Sequence, residues 1–266
     1  METPNVTGKR IKEYLSEGKR FDGRSLDEFR DLKIETGISN KAEGSAKVNL
    51  GKTEVLVGIK MDVVEPYPDS PNKGNLMVTS ELLPLSSPRF ENGPPKFPAI
   101  ELGRLIDRAI REGKFIDFEK LCIKEGEKVW AVFIDVYSIN DDGNLIDAAG
   151  IGAVAALKSA VMPRYDEETG KVAYGEFTDK KIPLSDEVPI VTTIHKVGKS
   201  ILVDPILEEE DVSETRVTIG GTLGGSIFSM QKGNPKEIST EEMSKMLEIS
   251  EKSRKEVSSK IDKALK

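Results

Sequence analysis

One stretch constrains this chain more than any other: an apolar run that stops at a polar turn and restarts as a helix. Residues 129–139, VWAVFIDVYSI, are mostly branched or aromatic with a single charge, which suits a strand buried on both faces. Asn140, Asp141, Asp142, Gly143 and Asn144 come next. These residue types tolerate left-handed backbone and bond to their own main chain, so the strand stops there. Residues 145–162, LIDAAGIGAVAALKSAVM, are nearly all small or apolar and end before Pro163. That composition predicts a helix packed closely on a sheet rather than a solvated one. Strand, turn and buried helix together place the chain in the α/β or α+β class.

Upstream the pattern has period two. Ile34, Thr36 and Ile38, then Ala46, Val48 and Leu50, then Val55, Val57, Ile59, Met61 and Val63 predict an antiparallel meander of three strands, with Gly58 as a bulge. Residues 65–98 hold one more strand candidate, LMVTSELL, among prolines that stiffen the surrounding loops. An amphipathic helix follows over residues 99–112. Its apolar side is Leu102, Leu105, Ile106, Ala109 and Ile110, and Arg104, Arg108 and Arg111 share the other. The arginine row has two readings: a solvated stripe satisfied by Asp107 and Glu112 one turn away, or a set of guanidinium forks that clamp phosphates. A short helix opens the chain before Gly18, and Arg20-Phe21-Asp22-Gly23-Arg24 after it reads by itself as a solvated turn.

Downstream, residues 163–189 read as a polar loop with a hairpin turn at residues 166–170. Two strands follow, over residues 190–197 and 200–205. His195 is the only histidine, and with no serine or cysteine arrangement near it, a packed residue is the ordinary reading. Glu208, Glu209, Glu210 and Asp211, with Asp204 upstream, form the densest acidic cluster. It could hold Mg²⁺ or supply a general acid, but an acidic run in a connection is usually solvated. The glycine array at residues 220–225 lies between two strand candidates and is not followed by a helix, so it reads as a hairpin rather than a phosphate cradle. A last helix spans residues 240–265, with Met243, Met246, Leu247, Ser250, Val257, Ile261 and Leu265 on one stripe.

Composition narrows the functional classes. With 266 residues and 37% hydrophobic content the chain can bury a real core. A net charge of -7 argues against a broad basic surface that grips nucleic acid unaided, so any RNA contact must be local or shared. No apolar run approaches the ~20 residues of a membrane span and no secretion signal is present, so a cytoplasmic protein is expected. One cysteine, Cys122, excludes an internal disulfide.

The order of meander, helix, strand, helix, strands and helix fills the chain as one expected domain over residues 1–266. Arg20-Phe21-Asp22-Gly23-Arg24, GSAKVNLGKTEVLVGIK, ELLPLSSPRFENGPP and DDGNLIDAAGIGAVAAL, in that order, resemble the RNase PH family. Within it the chain is most similar to the non-catalytic RNase PH-like ring subunits of the archaeal exosome. The resemblance implies an α+β fold of mixed sheets with packed helices, of the ribosomal protein S5 domain 2-like kind. It also implies a chemistry in which phosphate attacks the 3'-terminal phosphodiester of RNA and releases nucleoside diphosphates.

Active members hold that phosphate with a Gly-Ser/Thr-Arg motif at the start of the buried helix, where amides and a guanidinium meet the anion. This sequence has Asn144-Leu145-Ile146 there, and Phe97-Pro98 at roughly the positions of the paired arginines that give active members a second anion contact. Asp204 matches a catalytic-site aspartate, and a further acid falls near Glu210 or Asp211. The resemblance therefore implies no catalytic residue and no cofactor or metal in this chain. It assigns Arg104 and Arg108 to RNA backbone at a neighbouring active site and leaves Arg111 undecided. The implied partners are a catalytic RNase PH-like subunit, alternating with this one as a trimer of heterodimers, RNA-binding cap proteins, and single-stranded RNA. Two rivals remain: a phosphorolytic exoribonuclease acting alone through Asp204 and Glu210 or Asp211, and a small-molecule kinase using the glycine array.

Overall fold

The computed structural model describes residues 3–265; Met1, Glu2 and Lys266 of the expected 1–266 span lie outside the described residues. The central unit is β6, Lys128–Asn140, followed by α3, Leu145–Ser159. The first half of β6 is buried on both faces as expected, whereas Phe133, Asp135, Tyr137 and Ile139 alternate with buried Val132, Ile134, Val136 and Ser138. β1 (Leu32–Thr36), β2 (Gly44–Leu50) and β3 (Thr53–Val64) form the predicted antiparallel meander. β6 pairs antiparallel with β3 and parallel with β4 (Asn75–Leu82), giving the order β1-β2-β3-β6-β4, and the short β5 (Cys122–Lys124) also pairs with β6.

Gly58 is not a bulge. It pairs in regular register with Ser45 and Asp135, and the ladder slips at Glu54 and Val55 instead. A parallel pair needs a long crossover, and α2, Phe97–Glu112, lies in the one between β4 and β6. α2 starts two residues earlier than its periodicity predicts, because Pro98 fits the first helical turn, where its missing N–H has no partner to lose.

Helix α3 has to be small on two sides. A Cβ on Gly152 would stand 2.7 Å from Val57 Cγ2 of β3, and one on Gly150 would stand 3.3 Å from Val191 Cβ of β9, Ile190–Val197. Two residues separate these positions, about 200° around the helix, so α3 runs between the two sheets and large side chains are excluded from both faces. The second sheet has the order β10-β9-β11-β12, with β10 at Ser200–Val203, β11 at Thr215–Gly221 and β12 at Ile227–Gly233. β9 is buried throughout because each face is covered: the Thr193 hydroxyl donates to Asp147 of α3 (2.8 Å), and Thr192 bonds Ser250 of α5, Thr240–Ala264 (2.6 Å). A continuous core joins Val57, Ile134 and Ile151 to Ile194, Ile219 and Ile261.

The polar segment after α3 differs from expectation. α3 ends at Ser159, and Val161–Asp166 and Lys171–Lys181 form a two-stranded hairpin, β7 and β8, around the expected turn. Most of its residues are exposed, so no apolar alternation marks the strands, and the ladder slips on either side of Pro163, which has no N–H to give. The glycine array lies in the β11–β12 hairpin as predicted, closed by Thr222 N donating to Ser226 O at 2.9 Å. α1, Asn5–Ser16, packs Ile11 and Leu15 with Val197 and Leu202. Among the described residues no helix is long and apolar enough to cross a membrane.

Candidate functional site

The acidic cluster and the turn at residues 20–24 are solvated only in part: Glu208 and residues 21–23 are exposed, but Glu209 and Arg20 are buried. Glu209 belongs to α4, Leu207–Asp211, and is 1% exposed; Arg20, 4% exposed, donates to it through Nε at 3.0 Å. The other Arg20 nitrogens reach the carbonyls of Val203 (3.0 Å) and Asp204 (2.8 Å). Arg20 and Glu209 lie 189 residues apart, which is why neither local composition reveals the pair.

Asp204 is the hub. Arg30 forks onto it through Nε (2.9 Å) and Nη2 (2.7 Å), and the Arg30 amide, Arg24 and Asn144 Nδ2 donate at 2.8, 3.1 and 2.9 Å. Burial pushes the Asp204 carboxyl up, but the hydrogen bonds and charge of Arg30 outweigh it and hold the group below the ordinary carboxylate range. Asp204 and Asn144 both adopt left-handed backbone, φ 44° and 56°, and each is held there by the other's side chain. The same arginine donates to the carbonyls of Asp142 (2.8 Å) and Gly143 (3.0 Å), tying the β6–α3 turn to the β10–α4 turn. Arg30 lies in a charged segment before β1, and its one sequence signal is its place between the apolar residues Phe29 and Leu32.

The start of α3 carries an anion already, and it is internal. The Asn144 amide donates to Glu210 Oε2 at 2.8 Å. A cleft of about 720 Å³ opens there, lined by Leu145, Ile146, Phe97, Pro98 and Leu207 with Glu210. The two places where a phosphate grip was expected to be missing thus face one cleft, and both are apolar. Asp211 is clamped by Arg89 at 2.7 and 2.6 Å and accepts from Thr3 N at 2.9 Å, while Glu208 is exposed. Among the described residues no cluster of His, Cys, Asp and Glu is arranged to hold a metal ion.

Asp147, in the first turn of α3, is fully buried and accepts from Thr193 Oγ1 (2.8 Å), Thr193 N (3.1 Å) and Asn144 Nδ2 (3.1 Å). Burial pushes its pKa up to about 7 despite these bonds. A raised carboxylate pKa means that the folded chain holds the proton to higher pH than the unfolded chain. Its contribution to stability is therefore fully present below the ordinary value of about 3.8 and is lost as pH rises to about 7. Asp147→Asn keeps the acceptor for the Thr193 and Asn144 N–H groups, and its amide can donate to Thr193 Oγ1, which then donates to Thr218. We predict that the variant gains stability relative to the parent as pH rises across that window, with a plateau above it. Denaturant unfolding at several pH values checks this, and a pH-independent difference would refute it.

His195 is packed, as expected: Nδ1 bonds Ser213 Oγ at 3.1 Å, and burial, followed by the charge of Arg216, drives its pKa down to about 3. On α2, Arg104, Arg108 and Arg111 are all exposed and line a groove of about 680 Å³ against β4. They are not equivalent. Arg111 is tied to Asp107 (2.7 Å) and to Leu76 O (3.2 Å), Arg108 has one 3.3 Å contact to Gln231, and Arg104 makes no hydrogen bond or ion pair to any described residue.

Comparison with known proteins bears on the family and the fold. Residues 28–163 match domain 1 of the 3' exoribonuclease family (RNase PH) and residues 187–253 match its domain 2. The chain is 45% identical to the exosome complex component Rrp42 of Methanothermobacter thermautotrophicus, covering 92% of this chain and 90% of that one. It is 48% identical to that of Thermococcus kodakarensis, covering 96% and 94%. Among solved structures, a chain of the Archaeoglobus fulgidus exosome with RNA bound to the active site superposes with a TM-score of 0.88 at 39% identity, over 96% of this chain and 98% of that one. A chain of an archaeal exosome core superposes at 0.85 and 36%, over 97% of each. By sequence and by fold, this chain belongs to the 3' exoribonuclease, or RNase PH, family.

Proposed function

We propose that this chain is a subunit of the archaeal exosome core that does no chemistry of its own, completes a partner's active site and contacts RNA with Arg104 and Arg108. One observation carries the non-catalytic part. The amide of Asn144, the residue that caps α3, is occupied by Glu210 Oε2, and the side chains of Leu145 and Ile146 beside it have no donor for phosphate. A phosphorolytic enzyme needs an anion there, and a carboxylate in that place repels one. Asp204 cannot substitute as an acid, since its oxygens accept from Arg24, Arg30 and Asn144 and it is 0% exposed.

The assembly follows from the relatives, which are exosome components, and from the solved exosome cores that this fold matches. The partner is a catalytic RNase PH-like subunit alternating with this one in a six-membered ring, with RNA-binding cap proteins above it and single-stranded RNA in the shared path, in the cytoplasm. A core shared by both sheets supports a single domain over the chain. The acidic net charge fits, because the basic groups need only line the path.

Release of nucleoside diphosphates from poly(A) in the presence of phosphate tests the reading, for this chain alone and mixed with a catalytic partner. Turnover is expected only in the mixture. Phosphate-dependent turnover by the chain alone would overturn the non-catalytic assignment in favour of a solitary phosphorolase.

A further inference from the structure

The cleft at the start of α3 is lined by three basic side chains, and every one is committed. Arg89 is held by Asp211, Arg216 by Glu101, and Lys96 by Glu91. The same walls carry three more carboxylates, Glu81, Asp141 and Glu210, and none of these forms an ion pair with a described lysine or arginine. Glu210 uses one oxygen on the Asn144 amide, and its other oxygen makes no hydrogen bond to a described residue. Three negative groups without an ion pair to a described residue therefore line the cleft together with Leu145, Ile146, Leu102 and Phe97, and only the nearby charges of Arg89, on Asp141, and Arg216, on Glu210, offset them. Low-dielectric walls focus such a field, so the cleft attracts a cation and favours one with an apolar body.

Its volume, about 720 Å³, suits a ligand of a few side chains. One wall is Ser80, Glu81 and Leu82 of β4, the last strand of its sheet, whose outer backbone groups have no strand partner. An extended peptide can use that edge while a side chain fills the cleft.

We propose that this cleft docks a basic side chain, arginine or lysine, presented between apolar neighbours on an extended segment of a protein partner. The assignment rests on the charge and shape of the cleft and not on the exosome reading, so it can fail while that reading stands.

Titration of the full-length chain with acetyl-Leu-Arg-Leu-amide, followed by amide chemical shifts, tests it. Saturable shifts at Leu145 and Ile146 are expected. Glu210→Gln keeps an acceptor for the Asn144 amide, and it should weaken binding about tenfold; Glu81→Gln, at an exposed position, should weaken it less. Arg104→Ala with Arg108→Ala should leave it unchanged. No saturable shift at the cleft, equal binding of acetyl-Leu-Glu-Leu-amide or of inorganic phosphate, or unchanged affinity in the doubly substituted Glu81→Gln, Glu210→Gln chain would each overturn the proposal. Agmatine binding as tightly as the tripeptide would overturn it too, by assigning the cleft to a free amine.

Discussion

Replacing Arg30 by alanine is expected to remove about 3–5 kcal/mol of stability, the range seen when one partner of a buried ion pair is taken away. The guanidinium is 7% exposed and, among the described residues, is the only group that donates to the Asp204 carboxylate and to the carbonyls of Asp142 and Gly143 together. Its loss leaves Asp204 with Arg24 and Asn144, and leaves two left-handed residues with less to hold them.

The pH dependence gives a second signature. In the parent, Arg30 holds the Asp204 pKa low, so the pair stabilises the fold above the ordinary carboxylate value and that contribution is lost as pH falls through the folded value. Without Arg30, burial acts with less opposition and the carboxyl takes up a proton at higher pH. The deficit of Arg30→Ala should therefore be largest near neutrality and shrink in acid. Urea unfolding of both chains measures this, and a loss below about 1 kcal/mol, the scale of a surface pair, would show that Asp204 does not depend on Arg30.

For Arg104→Ala with Arg108→Ala, the expected result is a loss of RNA affinity of the assembled ring by about two to four orders of magnitude at low salt, as for two charge-assisted hydrogen bonds. The salt dependence should flatten as well, by about 0.7 in the slope of log K against log salt for each phosphate contact removed from a single strand. Ring assembly should survive, since neither side chain forms an ion pair with a described residue. Arg111→Ala is the internal control. Its guanidinium is already spent on Asp107 and Leu76 O, so it should change RNA affinity less than either of the others. Unchanged affinity of a well-formed doubly substituted ring would reject the role given to Arg104 and Arg108.

The arginine row shows how far pattern reading reaches. Periodicity placed three guanidinium groups on one exposed face of α2, and the structure agrees. Periodicity could not rank them, because rank depends on which neighbour each one meets, and Leu76 and Gln231 come from strands far away in sequence. The acidic run at residues 208–211 shows the opposite failure. Read locally it is a solvated connection, yet its four members have four separate fates: solvent for Glu208, Arg20 for Glu209, the Asn144 amide for Glu210 and Arg89 for Asp211. Gly58, singled out as a bulge, lies in a regular ladder, because the residue that shifts is set by how β3 meets β6 and not by the glycine itself.

What the sequence determined by itself are the features whose cause is local. These are the buried β6–α3 unit, the meander of β1 to β3, the amphipathic face of α2, the glycine hairpin, and the absence of side-chain donors at Leu145 and Ile146. Periodicity, turn chemistry and side-chain donor capacity are properties of neighbours along the chain. Only the tertiary structure decided that Glu210 fills the anion position at the start of α3, that Arg30 binds the β6–α3 and β10–α4 turns through Asp204, and that the cleft keeps three unpaired carboxylates. Those facts rest on polar and charged groups brought together from positions 60 to 174 residues apart, and burial, which fixes the strength of each pair, does not exist until the chain has folded.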